Sequence, residues 1–126
     1  MRNLNKIYIV DDDEIYRFIT KTVIEETQSV TEIKTFINGQ AAIDGLIADM
    51  KNNICPDIIF LDLTMPVMDG WGFLEKYMSS DICSDVKIYI VSSSVNPVDV
   101  EKAKAIPKVA DYLVKPFTKE KFLSLL

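Results

Sequence analysis

Apolar residues along this chain gather in short runs, separated by longer stretches of helical spacing. Four runs, Ile7–Val10, Ile58–Leu61, Ile88–Val91 and Tyr112–Val114, are β-branched or aromatic, and each ends at a polar residue. That is the pattern of a strand buried on both faces. A fifth stretch, Val30–Ile37, alternates instead, with Glu32 and Lys34 interrupting Ile33, Thr35 and Ile37. A half-polar strand of this kind belongs at a sheet edge. Between the strands, Ile15, Phe18, Ile19 and Val23 are spaced to share one helix face, with Asp13 placed to cap the N-terminus. Ile43, Leu46, Ile47 and Met50 form a second such face, and Leu74, Tyr77 and Met78 a third. The segment Pro97–Ile106 opens with proline at a first helical position and stops before Pro107. Its apolar face is thin (Val98, Val100, Ala103, Ile106), which predicts a loosely held helix. Phe122, Leu123, Leu125 and Leu126 mark a short final one.

Five strands alternating with five helices predict an α/β fold, a (βα)₅ three-layer sandwich with helices on both faces of a parallel sheet. The first, third and fourth strands are the most apolar and belong at the centre, the second and fifth at the edges. The strand order is then 2-1-3-4-5, the flavodoxin-like arrangement, in which ligands bind beyond the carboxyl ends of the strands near the reversal of order. No Gly/Ser/Pro-rich linker or repeat divides the chain, so residues 1–126 are expected to form one domain with no output domain.

Composition narrows the chemistry. A chain of 126 residues, 48% apolar, is long enough for one buried core. It has no histidine, which excludes a histidine-based zinc site, a catalytic triad and a phosphohistidine carrier within the chain. The formal charge of −5 gives no electrostatic reason to expect nucleic acid or an anionic membrane as partner. No apolar run approaches membrane-spanning length, so no membrane insertion is expected. The two cysteines, Cys55 and Cys83, lack metal-site spacing and are expected to be reduced thiols of a cytoplasmic protein.

The surplus acid is gathered rather than spread. Asp11, Asp12 and Asp13 follow the first strand, Asp62 the third, Ser92–Ser94 the fourth and Lys115 the fifth. In a parallel sheet of this order all four strand ends open on one rim. Three carboxylates brought together are too negative to stand bare, because neighbouring like charges repel unless a cation neutralises them. Lys115 offsets one charge, and a hard divalent ion such as Mg²⁺, which keeps several waters, fits the remaining deficit. Metal, ammonium and a central carboxylate make a phosphoryl-transfer environment, with Asp62 as nucleophile. Taken singly, each feature has a plainer reading: a solvated cap for the triple aspartate, a turn starter for Asp62, a loop for the serines. Their conjunction at matching strand ends favours the site.

At these residues the sequence resembles the receiver domain of two-component response regulators, the CheY-like family. The motifs are Val10-Asp11-Asp12-Asp13, Asp62-Leu63-Thr64-Met65-Pro66-Val67-Met68-Asp69-Gly70, Ser92, and Asp111-Tyr112-Leu113-Val114-Lys115-Pro116-Phe117. The resemblance implies Asp62 as phospho-acceptor, with Mg²⁺ held by Asp11, Asp12, Asp62 and the backbone carbonyl of Thr64. It implies Lys115 pairing with the phosphoryl group across a cis Lys115–Pro116 bond, and Ser92 and Tyr112 as the switch pair. It further implies a sensor histidine kinase or histidine phosphotransfer protein as donor and a downstream protein as target. The output surface would be the fourth helix, fifth strand and fifth helix, on a monomer or a phosphorylation-dependent dimer. The chain departs from the family pattern at Ser93, where a small residue often alanine follows the switch hydroxyl, and at Val109-Ala110, where Gly-Ala is usual.

Three other readings compete. An aspartyl-nucleophile phosphohydrolase typically carries a second acid two residues after the nucleophile, where this chain has Thr64; the chain is therefore expected not to be an enzyme. FMN binding needs a hydroxyl- and glycine-rich loop where the three aspartates stand. A receiver that never takes phosphate is disfavoured by the full set of site residues.

Overall fold

A computed structural model describes residues 4–126; the first three positions of the expected domain lie outside the described residues. Five strands, β1 (Leu4–Val10), β2 (Val30–Phe36), β3 (Ile58–Leu61), β4 (Lys87–Ser92) and β5 (Val109–Val114), form one parallel sheet in the order β2-β1-β3-β4-β5. Five helices alternate with them: α1 (Glu14–Glu26), α2 (Gly39–Lys51), α3 (Gly70–Met78), α4 (Pro97–Lys104) and α5 (Lys119–Leu123). This is the flavodoxin-like architecture and strand order expected from the apolar pattern. Among the described residues, no helix is long and apolar enough to cross a membrane.

The strict alternation of strand side chains divides the core in two. Tyr8, Val10, Ile59, Leu61, Ile88 and Ile90 face one side, where Ala42, Ile43 and Leu46 of α2, Phe73, Leu74 and Tyr77 of α3, and Ala103 of α4 cover them. Ile7, Ile9, Ile58, Phe60, Tyr89 and Val91 face the other, packed with Leu4 at the start of β1, Ile24 of α1 and Phe122 of α5. The register Val10↔Leu61 and Leu61↔Ile90 brings the carboxyl ends of the central strands level. That is what allows residues just beyond each strand to meet.

The helix faces are turned from the expected ones in two places. Ile15, Phe18 and Ile19 lie exposed on α1, at 69%, 70% and 39%, while Thr20 and Ile24 are buried. The side-chain oxygen of Asp13 accepts from the amides of Ile15 and Tyr16, and Arg17 donates to the Asp11 carbonyl at 2.9 Å. These bonds fix the rotation of the first turn. In α2, Ile47 and Met50 are exposed and Asp49 is buried, because two lysines and a tyrosine draw its carboxylate inward. Lys6 and Lys34 each donate to it at 3.0 Å, and the Tyr8 hydroxyl donates as well. Burial works to raise the Asp49 pKa, but these three hydrogen bonds outweigh it and hold it below the ordinary carboxylate value.

The cysteines also differ from expectation: Cys55 and Cys83 form a disulfide, with Cα atoms 5.7 Å apart. Cys55 lies in the loop before β3 and Cys83 in the loop before β4. Those strands are neighbours, so the two loops run side by side. Spacing along the sequence carries no trace of this.

Candidate functional site

Each site residue is delivered by the end of a strand. The Asp11 amide continues the β1–β2 ladder by donating to Phe36, and the Asp62 amide continues β3 by donating to Val10. The Lys115 amide donates to the Ser92 carbonyl at 2.9 Å, tying β5 to β4 at the same level, and the Lys115–Pro116 peptide is cis. Ligand oxygens of Asp11, Asp12 and Asp62 all lie within 4.8 Å of one another. Asp11 and Asp62 are buried, whereas Asp12 is exposed at the mouth. Lys115 Nζ reaches Asp11 Oδ2 at 2.9 Å and Asp62 Oδ2 at 3.8 Å, across 104 residues of sequence in the first case.

The electrostatics follow from that crowding. Burial, then the Asp11 charge, pushes the Asp62 carboxyl up to about 6; Lys115 and the amides of Leu63 and Thr64 pull the other way and do not win. Burial works to lower the Lys115 pKa, but its hydrogen bond to Asp11 and the charges of Asp11 and Asp62 raise it overall. Three carboxylates against one ammonium leave the rim short of positive charge. Oxygen donors only, two of them buried, suit a hard divalent cation.

Ser92 and Tyr112 are linked through a residue the sequence reading did not single out. The Ser94 amide donates to Ser92 Oγ at 3.1 Å, and the Tyr112 hydroxyl donates to the Ser94 carbonyl at 2.9 Å. Ser94 Oγ donates in turn to Asp99 in the first turn of α4, at 2.9 Å. A polar thread thus runs from the rim through the β4–α4 loop to both Tyr112 and α4. Thr64 is exposed in the loop after Asp62, and its amide acts on the Asp62 carboxylate. Tyr16 was missed too: the Lys115 ammonium lies over its ring, 4.0 Å from the centroid, a cation–π contact beside the ion pairs. Its position five residues after Asp11 gives no motif to find it by.

Gly70 explains how tightly the loop after Asp62 is closed. Its amide donates to the Leu63 carbonyl at 2.9 Å, and a Cβ there would lie 2.4 Å from the Asp62 carbonyl oxygen. Only glycine lets α3 start against the strand end.

The family model of the response regulator receiver domain matches residues 7–126. The chain belongs to that family. That family is the receiver of response regulators, and the match supports two-component signalling. A crystal structure of a two-component response regulator from Cytophaga hutchinsonii is similar with a TM-score of 0.92 and 31% identity, over 98% of this chain and 95% of that one. The probable C4-dicarboxylate response regulator DctR of Halalkalibacterium halodurans is 28% identical, over 98% of this chain and 50% of the relative. The protein-glutamate methylesterase/protein-glutamine glutaminase of Treponema pallidum is 33% identical, over 95% of this chain and 29% of the relative. The receiver thus spans half or less of the length of these curated relatives. The last likeness corrects one expectation. Thr64 was read as arguing against an enzyme, yet a receiver of this kind occurs within a protein named for two enzymatic activities. The residues at the acidic rim do not decide that question.

Proposed function

We propose that this receiver is a phosphorylation-dependent switch with Asp62 as its phospho-acceptor. The observation that carries the reading is the convergence of three carboxylates within 4.8 Å on a lysine that reaches two of them. Asp11, Asp12, Asp62 and the Thr64 carbonyl would hold Mg²⁺, whose charge would offset that of the carboxylates and of an incoming phosphoryl group.

A carboxylate oxygen of Asp62 attacks phosphorus in line, and the bond from phosphorus to the donor nitrogen breaks. With no histidine in the chain, the phosphohistidine comes from a partner, a sensor histidine kinase or a histidine phosphotransfer protein. Lys115 is near enough to turn from Asp11 toward the new phosphoryl oxygens. Ser92 Oγ accepts from the Ser94 amide, which leaves its own hydrogen free to donate to the same group. A shift of Ser92 would then pull on Ser94, and through it on Tyr112 and α4. α4, β5 and α5 form the output surface toward a downstream protein, on a cytoplasmic monomer or a phosphorylation-dependent dimer.

The test is labelling by acetyl phosphate. Wild type should label only with Mg²⁺, and Asp62→Asn should not label at all. Retained labelling of the variant would overturn the assignment.

A further inference from the structure

The Cys55–Cys83 disulfide lies at the amino ends of β3 and β4, opposite the acidic rim. The ring it closes spans 28 residues of separation and contains β3, Asp62, the loop after it and all of α3. Of the proposed site, Asp62 and Thr64 lie inside this ring, whereas Asp11, Asp12, Ser92 and Lys115 lie outside. One helix connects its two ends. α3 begins at Gly70, packed on the Asp62 carbonyl, and near its end the Tyr77 hydroxyl donates to the Cys83 carbonyl at 2.7 Å. The rings of Phe73 and Tyr77 stack between these points, 6.0 Å apart.

Two features suit this bond to opening as well as closing. A cleft of about 230 Å³, lined by Cys55, Pro56, Asp57, Cys83 and Ser84 among others, lies against the disulfide. Cys55 is half-buried beside it and Cys83 is buried. Cys83 Sγ also lies 3.6 Å from the Leu46 carbonyl oxygen, so a thiol released there has an acceptor already in place. The reduced state therefore buries no unpaired donor. In compartments that keep thiols reduced, the disulfides that do form are mostly transient or redox-sensing.

We infer that Cys55–Cys83 is a redox-operated staple on the segment that carries Asp62. A thiolate of a dithiol reductant attacks the more accessible Cys55 Sγ. The bond between the cysteines breaks, and its electron pair leaves on Cys83 sulfur, which takes a proton beside Leu46. The reductant's second thiolate then attacks the mixed disulfide, and Cys55 leaves and is protonated. Two electrons and two protons pass to the cysteine pair, and the reductant becomes a disulfide. Opening the ring restores chain entropy to the unfolded form of the β3–α3 segment, so that segment opens more often. The consequence for phosphoryl uptake rests on the proposed function above; the structural consequence does not.

The experiment uses the full chain, oxidised or treated with dithiothreitol, with hydrogen exchange followed by peptide. Oxidised protein should show no titratable thiol after denaturation, and reduced protein two. On reduction, peptides covering 58–78 should exchange several-fold faster, and by a larger factor than those covering the edge strand Val30–Phe36, which does not pair with β3. Cys55→Ser should match the reduced protein and ignore dithiothreitol. Two titratable thiols in aerobically purified protein, or exchange over 58–78 that reduction leaves unchanged, would overturn the staple. Labelling by acetyl phosphate should be several-fold slower in the reduced wild type. Equal labelling rates alongside faster exchange would overturn the link to Asp62. Labelling absent in both redox states would instead sink the phospho-acceptor reading, with exchange still deciding the staple.

Discussion

The raised pKa of Asp62 makes the acidic rim a source of instability, and Asp62→Asn should expose this. The carboxyl is raised from its ordinary 3.8 to about 6 by burial and by Asp11. A folded state that holds its proton more tightly than the unfolded chain binds more protons between those values. Stability therefore falls as pH rises through that window and stays lower above it. At 1.36 kcal/mol per pKa unit the deficit is about 3 kcal/mol. Asparagine cannot ionise and keeps an oxygen to accept from the Leu63 amide, which Asp62 now engages at 2.8 Å. In urea denaturation at pH 7.5 with a metal chelator, the variant should be more stable by up to about 3 kcal/mol. The advantage should shrink toward zero as pH is lowered to 4. Saturating Mg²⁺ should stabilise wild type, by about 2.7 kcal/mol at a hundred times its dissociation constant, and the variant far less. A variant less stable than wild type at pH 7.5, or an advantage independent of pH, would refute the reasoning.

Other substitutions test the scaffold. Asp49→Asn leaves the buried Lys6 ammonium without its main counter-charge and should cost about 3–5 kcal/mol in denaturant unfolding. Because the folded pKa of Asp49 is depressed, its contribution should be full above the ordinary 3.8 and be lost as pH falls through the lower folded value; an acid titration of stability reads this. Val67 is a β-branched residue at φ 68° and 86% exposed, so Val67→Gly should relieve strain while losing little packing. A gain of up to about 1 kcal/mol is expected after the extra chain entropy of glycine, and a lowered melting temperature would contradict it. Gly70→Ala drives a Cβ into the Asp62 and Leu63 backbone and should cost about 1–3 kcal/mol, with slower labelling; unchanged stability would show that α3 can shift freely.

The strands and the rim were legible because both are written in local pattern plus topology. Ile58–Leu61 reads as a buried strand, and a parallel sheet then carries Asp62 to the same edge as Asp11 and Lys115 without further information. The helix faces were less legible. Ile15, Phe18 and Ile19 satisfy helical spacing, but spacing does not say which way an apolar stripe is turned. That is set by the Asp13 cap and by Arg17 reaching back to Asp11, contacts between side chains and backbone that no periodicity records. Asp49 was missed because a charged residue on a helix is assigned to solvent by default, and its partners Lys6 and Lys34 come from two strands, β1 and β2. The disulfide and the Ser94 thread were missed because each joins residues far apart in sequence: the first where two loops run side by side, the second where the β4–α4 loop meets β5.

Two clusters in this receiver are built from the same residue types and do opposite things. Around Asp49, its carboxylate and that of Glu32 face two ammonium groups and a phenol, and the Asp49 pKa is pushed down. At the rim, three carboxylates face one ammonium, and the pKa of Asp62 is pushed up. The difference is one of count and not of kind. A balanced cluster has nothing further to bind and holds β1, β2 and α2 together. An unbalanced one keeps a standing demand for cation, and the energy it withholds from the fold is released when a cation arrives. Divalent metal should therefore stabilise the receiver through Asp11, Asp12 and Asp62 while leaving the Asp49 cluster untouched.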